Sequence, residues 1–68
     1  MIDARGLSCP QPVILAQRAL SDKPANCEII VDNGAAKENV TRFAQHAGYT
    51  VDTNDNNGEY TLSLTRKV

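Results

Sequence analysis

The sequence has little of what several large classes of protein require. It contains two tyrosines, one phenylalanine and no tryptophan, too few for the aromatic platforms on which nucleic-acid bases stack. Its formal net charge of −1 provides no basic surface for a phosphate backbone. No apolar run approaches the ~20 residues of a membrane span. We therefore expect neither direct nucleic-acid binding nor a membrane partner.

Ligands for metals are equally scarce. The chain has two cysteines and one histidine, which fall on separate predicted elements and do not form a tetrahedral set. We expect no metal and no cofactor. The opening residues 1–4 have no basic region and no apolar run of the kind that marks a secretory signal. A reducing cytoplasm is therefore expected, where a cysteine is more often catalytic than part of a disulfide.

Length and composition indicate one small domain over residues 1–68. A chain of 68 residues with 41% hydrophobic and 22% charged residues resembles an ordinary globular protein, and it can build one thin core. Two packed layers are the natural solution at this size. No internal repeat or linker is present, although the chain can equally be the N-terminal part of a longer protein.

The main candidate for chemistry is Cys9, which stands directly before Pro10 and three residues before Pro12. The helix-compatible run 13–20 follows. Proline is favoured at the first helical position and tolerated in the first turn, where N–H groups have no helical partner. The residue before a proline is driven away from helical angles. The pattern predicts that Cys9 lies at the N-terminal end of a helix, framed by two rigid residues.

This position favours a reactive thiolate. The N-terminus of a helix carries roughly half a positive charge, which stabilises an anion, and nearby cations act in the same direction. Arg5 is close enough in sequence to add to that field, or it pairs with a neighbouring acid such as Asp3. Gly6 allows unusual backbone angles in the loop. The competing interpretation is a buried cysteine that serves as a small apolar residue.

The order of elements predicted from periodicity and turn residues is βαβαββ. Apolar alternation and apolar runs predict four strands, and 3.6-residue periodicity predicts two helices. Pro24 ends the first helix and Gly48 follows the second. The strands are expected at 1–4, 27–32, 49–53 and 59–65, the helices at 10–21 and about 36–47, and turns at 32–35 and 54–58.

The helical stripes separate buried from exposed positions. Val13, Leu15, Ala16, Ala19 and Leu20 share one side of the first helix, and Ala36, Val40, Phe43, Ala44 and Ala47 share one side of the second. Ile14 is expected on the exposed side, near Gln11 and Arg18, either as a lone surface residue or as part of a docking surface.

Two other residues that can carry chemistry have plainer interpretations. Cys27 opens the second strand and is expected to be a partly buried packing residue; the alternative is a resolving thiol for Cys9, which requires the two sulfurs to meet. His46 is expected to be a surface residue in the last turn of a helix.

Right-handed crossovers place both helices on one face of a four-stranded mixed sheet. The apolar pattern at Leu62 and Leu64 indicates that the last strand is well covered, which gives the order 1-2-4-3. The fold class is thus α+β, a two-layer α/β sandwich. Cys9 is expected at the edge where the parallel strands end, the edge that ligands favour, beside the Asp32 turn. That carboxylate either orients a partner's side chain or closes the turn.

The stretch 3–13, Asp-Ala-Arg-Gly-Leu-Ser-Cys-Pro-Gln-Pro-Val, resembles the signature of the TusA/SirA/YedF family of small sulfur-carrier proteins, whose motif is CPxP. The stretches 32–44 and 48–51 resemble the N-terminal domain of the YedF branch. The resemblance covers nearly the whole chain and agrees with the strand order 1-2-4-3.

This resemblance implies a sulfurtransferase-like persulfide carrier rather than a stand-alone enzyme. Cys9 is then the persulfide acceptor, with Arg5, Gly6, Pro10 and Pro12 as supporting residues. A cysteine desulfurase or a rhodanese-like protein is the implied donor, and a second protein is the acceptor, in a sulfur relay for tRNA thiolation or in sulfur or selenium metabolism. The residues expected to dock partners are Gln11, Ile14, Arg18 and Asp32.

Two alternatives stand beside this interpretation. A thiol–disulfide oxidoreductase normally carries Cys-x-x-Cys, but Pro12 occupies the second cysteine position. A redox or regulatory protein-interaction module would leave Cys9 without sulfur transfer, and slow alkylation of that thiol would identify it.

Overall fold

The computed structural model of the chain describes residues 2–8 and 10–67, and within these it contains two helices and four strands. Both helices pack on one face of a single sheet. Thus the predicted two-layer α/β sandwich is confirmed. In chain order the elements are β1 (Ile2–Asp3), α1 (Gln11–Ala19), β2 (Asn26–Val31), α2 (Gly34–His46), β3 (Tyr49–Asn56) and β4 (Glu59–Arg66).

The sheet has the strand order β1-β2-β4-β3, as predicted. β1 runs parallel to β2, with Ile2 beside Ile29, and the backbone N–H of Ala4 continues this pairing by donating to the carbonyl of Ile30 at 2.9 Å. β4 is antiparallel to both of its neighbours. The parallel pair requires a crossover connection, and α1 supplies it.

The core fills the space between the helices and the covered face of the sheet. Ile29 and Leu62 face each other across β2 and β4, and both are completely buried. From the helices, three of the buried side chains are alanines, Ala16 on α1 and Ala36 and Ala44 on α2, and the others are Pro12 on α1 and Val40 on α2. The alanines leave room for the larger strand side chains, such as Ile29 and Leu62, between the two layers.

The opposite face of the sheet is polar and largely open to solvent. Thr50, Asp52 and Thr65 are exposed, whereas Thr61 and Ser63 are partly covered. Antiparallel strands commonly have one face in the core and one in water, and the predicted solvated face is therefore confirmed.

The last hairpin is longer than the sequence indicates. Asn54, Asp55 and Asn56 were expected in a turn, but they belong to β3 and pair with Thr61, Tyr60 and Glu59. Only Asn57 and Gly58 form the turn. Their positive φ angles of 55° and 86° fit a two-residue turn whose twist matches that of the flanking strands. The pairing with β4 outweighs the low strand propensity of asparagine and aspartate.

The helix boundaries differ slightly from those expected. α1 begins at Gln11, with Pro10 as its N-cap and Pro12 inside the first turn, so Pro10 lies one position before the helix rather than in it. Ala16 and Leu20 are buried as expected, whereas Val13, Leu15 and Ala19 are half-buried.

On α2 the predicted stripe is correct with one exception. Ala36, Val40 and Ala44 are buried, and Phe43 packs against the core while partly exposed. Ala47 is exposed because the helix ends at His46 and the chain turns away through Gly48, which adopts φ 92°.

A set of hydrogen bonds stabilises one end of the strands, the end opposite to Asp32. Tyr49 is 1% exposed, and its hydroxyl donates to the carbonyl of Pro24 at 2.6 Å. Arg66 donates from its side chain to the carbonyl of Lys23 at 2.6 Å and from its backbone to the carbonyl of Ala25 at 2.9 Å. These contacts tie the connection after α1 to β3 and β4.

We predict that Tyr49→Phe destabilises the protein by about 1–2 kcal/mol, because a partly buried carbonyl loses its donor while the ring remains packed. Urea denaturation followed by circular dichroism measures the change. Tyr60→Phe is the matched control, since the Tyr60 ring contacts Lys37 and no hydroxyl partner is seen among residues 2–8 and 10–67. Equal stability of the two variants would show that the Tyr49 hydrogen bond contributes nothing.

Candidate functional site

Cys9, the predicted reactive residue, lies outside the described residues, so the site is defined by the segments on either side of it. Those segments are the Arg5–Gly6 turn with Leu7 and Ser8 before position 9, and Pro10 with the first turn of α1 after it. Both of its immediate neighbours, Ser8 and Pro10, are exposed. Each segment is attached to the body of the protein by a different set of contacts.

After position 9, the chain is held by the start of α1. The N–H of Gln11 donates to the carbonyl of Ser8 at 2.9 Å, and the N–H of Ile14 donates to the carbonyl of Pro10 at 3.1 Å. Pro12 is among the fully buried side chains. The two prolines therefore differ in role, because Pro10 is an exposed N-cap while Pro12 anchors the first turn in the core.

The N-terminus of α1 has no anionic compensation within its own helix. The cap makes no side-chain hydrogen bond, and the first turn contains no acidic residue. The positive end of the helix dipole is thus not neutralised from within α1, which favours a negatively charged group bound near this end.

Before position 9, the chain makes a tight turn at Arg5 and Gly6. Gly6 adopts φ 76°, a left-handed conformation that glycine takes without a steric penalty. Its N–H donates to Oδ2 of Asp32 at 2.8 Å. The expected conformational role of Gly6 agrees with this geometry, and the turn is fixed to the neighbouring strand end.

Arg5 is engaged with acidic side chains. Its Nε and Nη2 donate to Oδ1 and Oδ2 of Asp3, both at 2.9 Å, in the bidentate geometry that guanidinium groups favour. Its Nη1 also reaches Oε2 of Glu59 at 3.4 Å. The sequence left open whether Arg5 tunes charge or pairs with Asp3, and the structure shows the pairing. Arg5 is therefore largely neutralised as a source of positive field.

The contact between Asp3 and Arg5 shifts the pKa of both residues. Hydrogen bonds from the Arg5 side chain and backbone lower the pKa of Asp3 from 3.8 to about 2. In return, the hydrogen bond and charge of Asp3, assisted by Glu59, raise the pKa of Arg5 further above its ordinary value. All of these groups are well exposed, so solvent and salt weaken the interaction.

Asp32 lies at the end of β2, beside the Arg5–Gly6 turn, as the parallel pairing predicts. Besides Gly6, its carboxylate accepts a hydrogen bond from Nδ2 of Asn33 at 3.2 Å. Asn33 in turn caps α2, because its Oδ1 accepts the N–H of Ala36 at 2.7 Å. The Asp32 turn thus connects the loop before position 9 with the start of the second helix.

The residues expected to dock partners fall in two places. Gln11, Ile14 and Arg18 follow one another along α1 with spacings of three and four residues, which places them on one side of the helix. Gln11 and Arg18 are exposed, but Ile14 is half-buried rather than exposed.

Cys27 has the predicted structural role. It is a free thiol, half-buried and packed against the core, and burial raises its pKa. It is the second residue of β2, whereas Asp32 follows the end of the same strand, about 17 Å away for five extended residues. Cys27 therefore lies far from the Arg5–Gly6 turn. His46 is exposed in the last turn of α2, as expected of a surface histidine.

Some residues of the site were not anticipated from the sequence. Glu59 reaches Arg5 from a position 54 residues away, and no local pattern reveals such a contact. The Asn33 cap was detectable, because asparagine directly before an apolar helical stripe is a common N-cap.

Other kinds of site are not seen in the described part of the chain. Residues 2–8 and 10–67 contain no group of three or more His, Cys, Asp or Glu side chains placed to hold a metal ion. None of the helices in these residues has the length and apolar character needed to cross a bilayer.

The Asp3–Arg5 pair predicts a pH dependence. Because the pKa of Asp3 is lower in the folded state, its contribution to stability is present above its unfolded pKa and is lost as the pH falls from about 4 to about 2. We predict that Asp3→Asn removes part of the stability loss of the wild-type protein over this range. Urea midpoints measured from pH 2 to pH 6 test this, and parallel curves for both proteins would contradict it.

Burial of Cys27 predicts a slow thiol. In a Cys9→Ser protein, we expect Cys27 to react with iodoacetamide at pH 8 more slowly when folded than in 6 M urea, since only exposed thiolate reacts. Mass spectrometry of timed samples measures both rates. Equal rates in the two conditions would show that Cys27 is neither covered nor shifted in pKa.

Comparisons with known proteins agree with this architecture. The family model described as Sulfurtransferase TusA matches residues 1–66. A proposed sulfur carrier protein of Methanocaldococcus jannaschii is 38% identical over 52 residues, which span 74% of this chain and 69% of that protein. The crystal structure of a SirA-like protein from Desulfitobacterium hafniense superposes with a TM-score of 0.82 at 32% identity, covering 94% of this chain and 92% of that one.

The match to the family model extends over both segments that flank position 9 and over nearly all of the chain, and a solved SirA-like protein shares the fold. The chain belongs to the TusA family of sulfurtransferases.

Proposed function

We propose that the chain is a sulfur carrier that accepts a persulfide sulfur on Cys9 and passes it to an acceptor protein. Family membership supports this role. The observation that carries the proposal in this chain is the Cys9-Pro10-Gln11-Pro12 motif at the start of a helix whose first turn is anchored by a buried proline. The segment before the motif is anchored independently through Gly6.

The chemistry requires only a thiolate and a donor persulfide. The Cys9 thiolate attacks the terminal sulfur of a persulfidated donor cysteine, a new S–S bond forms, and the donor's own S–S bond breaks. The donor cysteine leaves as a thiolate, and Cys9 becomes a persulfide. The same exchange with an acceptor thiolate returns Cys9 to its starting state. No electrons are gained or lost overall, so no external oxidant or reductant is needed.

The described residues fit a carrier better than a stand-alone enzyme. Ser8 and Pro10 are exposed, so the backbone on both sides of position 9 is accessible to a second protein. Among the described residues of the motif, Pro10 to Pro12, the fully buried side chain is that of Pro12, which serves the core rather than a substrate pocket. A carrier completes its reaction in the active site of its partner.

Activation of the thiol in this proposal depends mainly on α1. The first turn lacks acidic residues, and the helix dipole favours a thiolate at its N-terminus. Arg5 contributes less than the sequence indicated, because Asp3 and Glu59 share its charge. Its supporting role is therefore to shape the turn before Cys9.

The partners are a cysteine desulfurase or a rhodanese-like protein as donor and a second protein as acceptor, acting in the cytoplasm. We place the docking surface on Gln11, Ile14 and Arg18 of α1; Asp32, the fourth residue expected to dock partners, accepts a hydrogen bond from Gly6 within the chain and is not assigned to this surface. The partly exposed Ile14 supplies apolar contact, and Arg18 supplies a charge at its rim. A thiolation pathway and a route in sulfur or selenium metabolism both require these two protein contacts.

The two alternative functions require different features of the chain. A thiol–disulfide oxidoreductase requires a resolving thiol, but Pro12 occupies the nearby position and Cys27 packs at the opposite end of β2. An interaction module without sulfur transfer requires only a docking surface, and an unreactive Cys9 distinguishes it from a carrier.

We predict that incubation with a cysteine desulfurase and cysteine adds one sulfur atom to the protein. Peptide mass spectrometry should locate it on Cys9, and dithiothreitol should remove it. Cys27→Ser should load like the wild-type protein, whereas Cys9→Ser should not load, since the thiolate nucleophile is missing.

A rhodanese-like donor with thiosulfate is the second arm of this experiment, because the two donor classes present different surfaces. Absence of added sulfur from both donors, combined with slow alkylation of Cys9, would exclude the carrier and favour the interaction module. Equal loading of Cys9→Ser would assign the sulfur to Cys27 and overturn the role of Cys9.

A further inference from the structure

One hydrogen bond joins the segment before Cys9 to the neighbouring strand end. The Gly6 N–H donates to Oδ2 of Asp32 at 2.8 Å, and the two residues are 26 positions apart in the sequence. It is therefore a tertiary contact rather than part of a local turn. Gly6 precedes Cys9 by three residues, so any movement of this turn is transmitted along a short piece of backbone.

The other contacts around the Arg5–Gly6 turn do less to attach it to the rest of the protein. The regular pairing of β1 with β2 ends where the N–H of Ala4 donates to Ile30. Asp3 binds the Arg5 side chain and backbone, but it lies only two residues away, so this contact shapes the turn without fixing it to another element. The contact of Arg5 with Glu59 is longer, at 3.4 Å, and joins two long side chains that are both well exposed.

Asp32 can fix the turn because it belongs to a different element and because its own side chain is held in place. Its carboxylate follows directly after the last residue of β2, and a second hydrogen bond from Asn33 Nδ2 orients it. Asn33 is itself held as the N-cap of α2. The Gly6 N–H lies beyond the strand pairing, and the Asp32 carboxylate accepts its hydrogen bond.

We propose that Asp32 is a positioning residue for sulfur transfer: through its hydrogen bond to Gly6 it holds the Arg5–Gly6 turn and so orients the segment that carries Cys9 toward a protein donor. This inference rests on the proposed carrier function. It assigns to Asp32 an internal role that is separate from contact with a partner. The acceptor oxygen performs this role, not the negative charge.

If Asp32 acted only through its negative charge, its removal would change the loading rate in the opposite direction. A carboxylate near a thiol disfavours the thiolate and raises the thiol pKa. Removal of an Asp32 that acted only through its charge would therefore speed alkylation and sulfur loading. A positioning role predicts slower loading although the Cys9 thiol pKa does not rise.

The test compares Asp32→Ala with Asp32→Asn. Alanine removes the acceptor, whereas the asparagine side chain keeps a carbonyl oxygen that can accept the Gly6 N–H. Single-turnover loading from a persulfidated cysteine desulfurase is measured over a range of donor concentrations. We expect the maximal rate of Asp32→Ala to fall between about threefold and about tenfold, with little change in the half-saturating donor concentration. Asp32→Asn should stay within about twofold of the wild-type rate.

Asp52→Ala is the matched control, because it removes an exposed carboxylate from edge strand β3. It should load like the wild-type protein, and the pH dependence of iodoacetamide alkylation should show no rise of the Cys9 pKa in Asp32→Ala. Unchanged loading by Asp32→Ala would overturn the proposal. Slowing of Asp32→Asn equal to that of Asp32→Ala would also overturn it, because the retained acceptor oxygen would then make no difference, and so would a raised half-saturating concentration alone, which points to partner contact.

Hydrogen exchange of the Gly6 amide separates failure of this inference from failure of the carrier function. We expect slower exchange in the wild-type protein and in Asp32→Asn than in Asp32→Ala. If no donor loads the wild-type protein, the carrier function fails, and equal exchange of the Gly6 amide in all three proteins would overturn the role of Asp32 as well. If Asp32→Ala does not fold, the comparison of wild type with Asp32→Asn still tests the assignment, and fast exchange in both would overturn it.

Discussion

The parallel pairing of β1 with β2 is the constraint on which the candidate site depends. Two adjacent parallel strands end at the same edge of a sheet, so the turn after β1 and the turn after β2 are brought together whatever their sequences. Among the described residues, Ile2 and Asp3 of β1 are in regular pairing, and one further hydrogen bond from Ala4 extends it. Beyond the ends of the strands, the side-chain contacts of Asp32 and Arg5 therefore hold together the two turns that the backbone pairing of β1 with β2 brings close.

The antiparallel half of the sheet supports this arrangement from the other side. β4 lies between β2 and β3, and its Leu62 and Leu64 are buried against β2 and the helices. β2 is thereby paired on both sides and covered by helices, which makes it a rigid base for the Asp32 turn. The same strand order places Glu59, the first residue of β4, near Arg5. A contact that no local pattern contains thus follows from the topology.

The sequence predicted the elements, their order and most of the core because these depend on periodicity and on a few turn residues. Gly48 and the stripe of Ala36, Val40 and Ala44 are examples. The sequence-based predictions were wrong where hydrogen-bonded strand pairing outweighs the low strand propensity of the residues. Asn54 to Asn56 have low strand propensity, yet the two-residue turn at Asn57 and Gly58 keeps them in β3. In the site, the sequence identified Gly6 and Asp32 but not their hydrogen bond, since register between distant segments is not encoded in either segment alone.

The distribution of charge around the motif separates the shaping of the loop from the proposed activation of the Cys9 thiol. A free Arg5 would add positive field, but it would leave the turn before Cys9 loosely held. Instead, Arg5 is paired with Asp3 and Glu59, and the positive end of α1 has no acidic residue in its first turn. The helix dipole decays within about one turn, so it acts at short range and depends strongly on where the sulfur is held. In the proposed role of Cys9, accurate placement of the segment that carries it matters more than additional charge, and the anchoring of that segment on both sides, through Gly6 and through Pro12, agrees with that role.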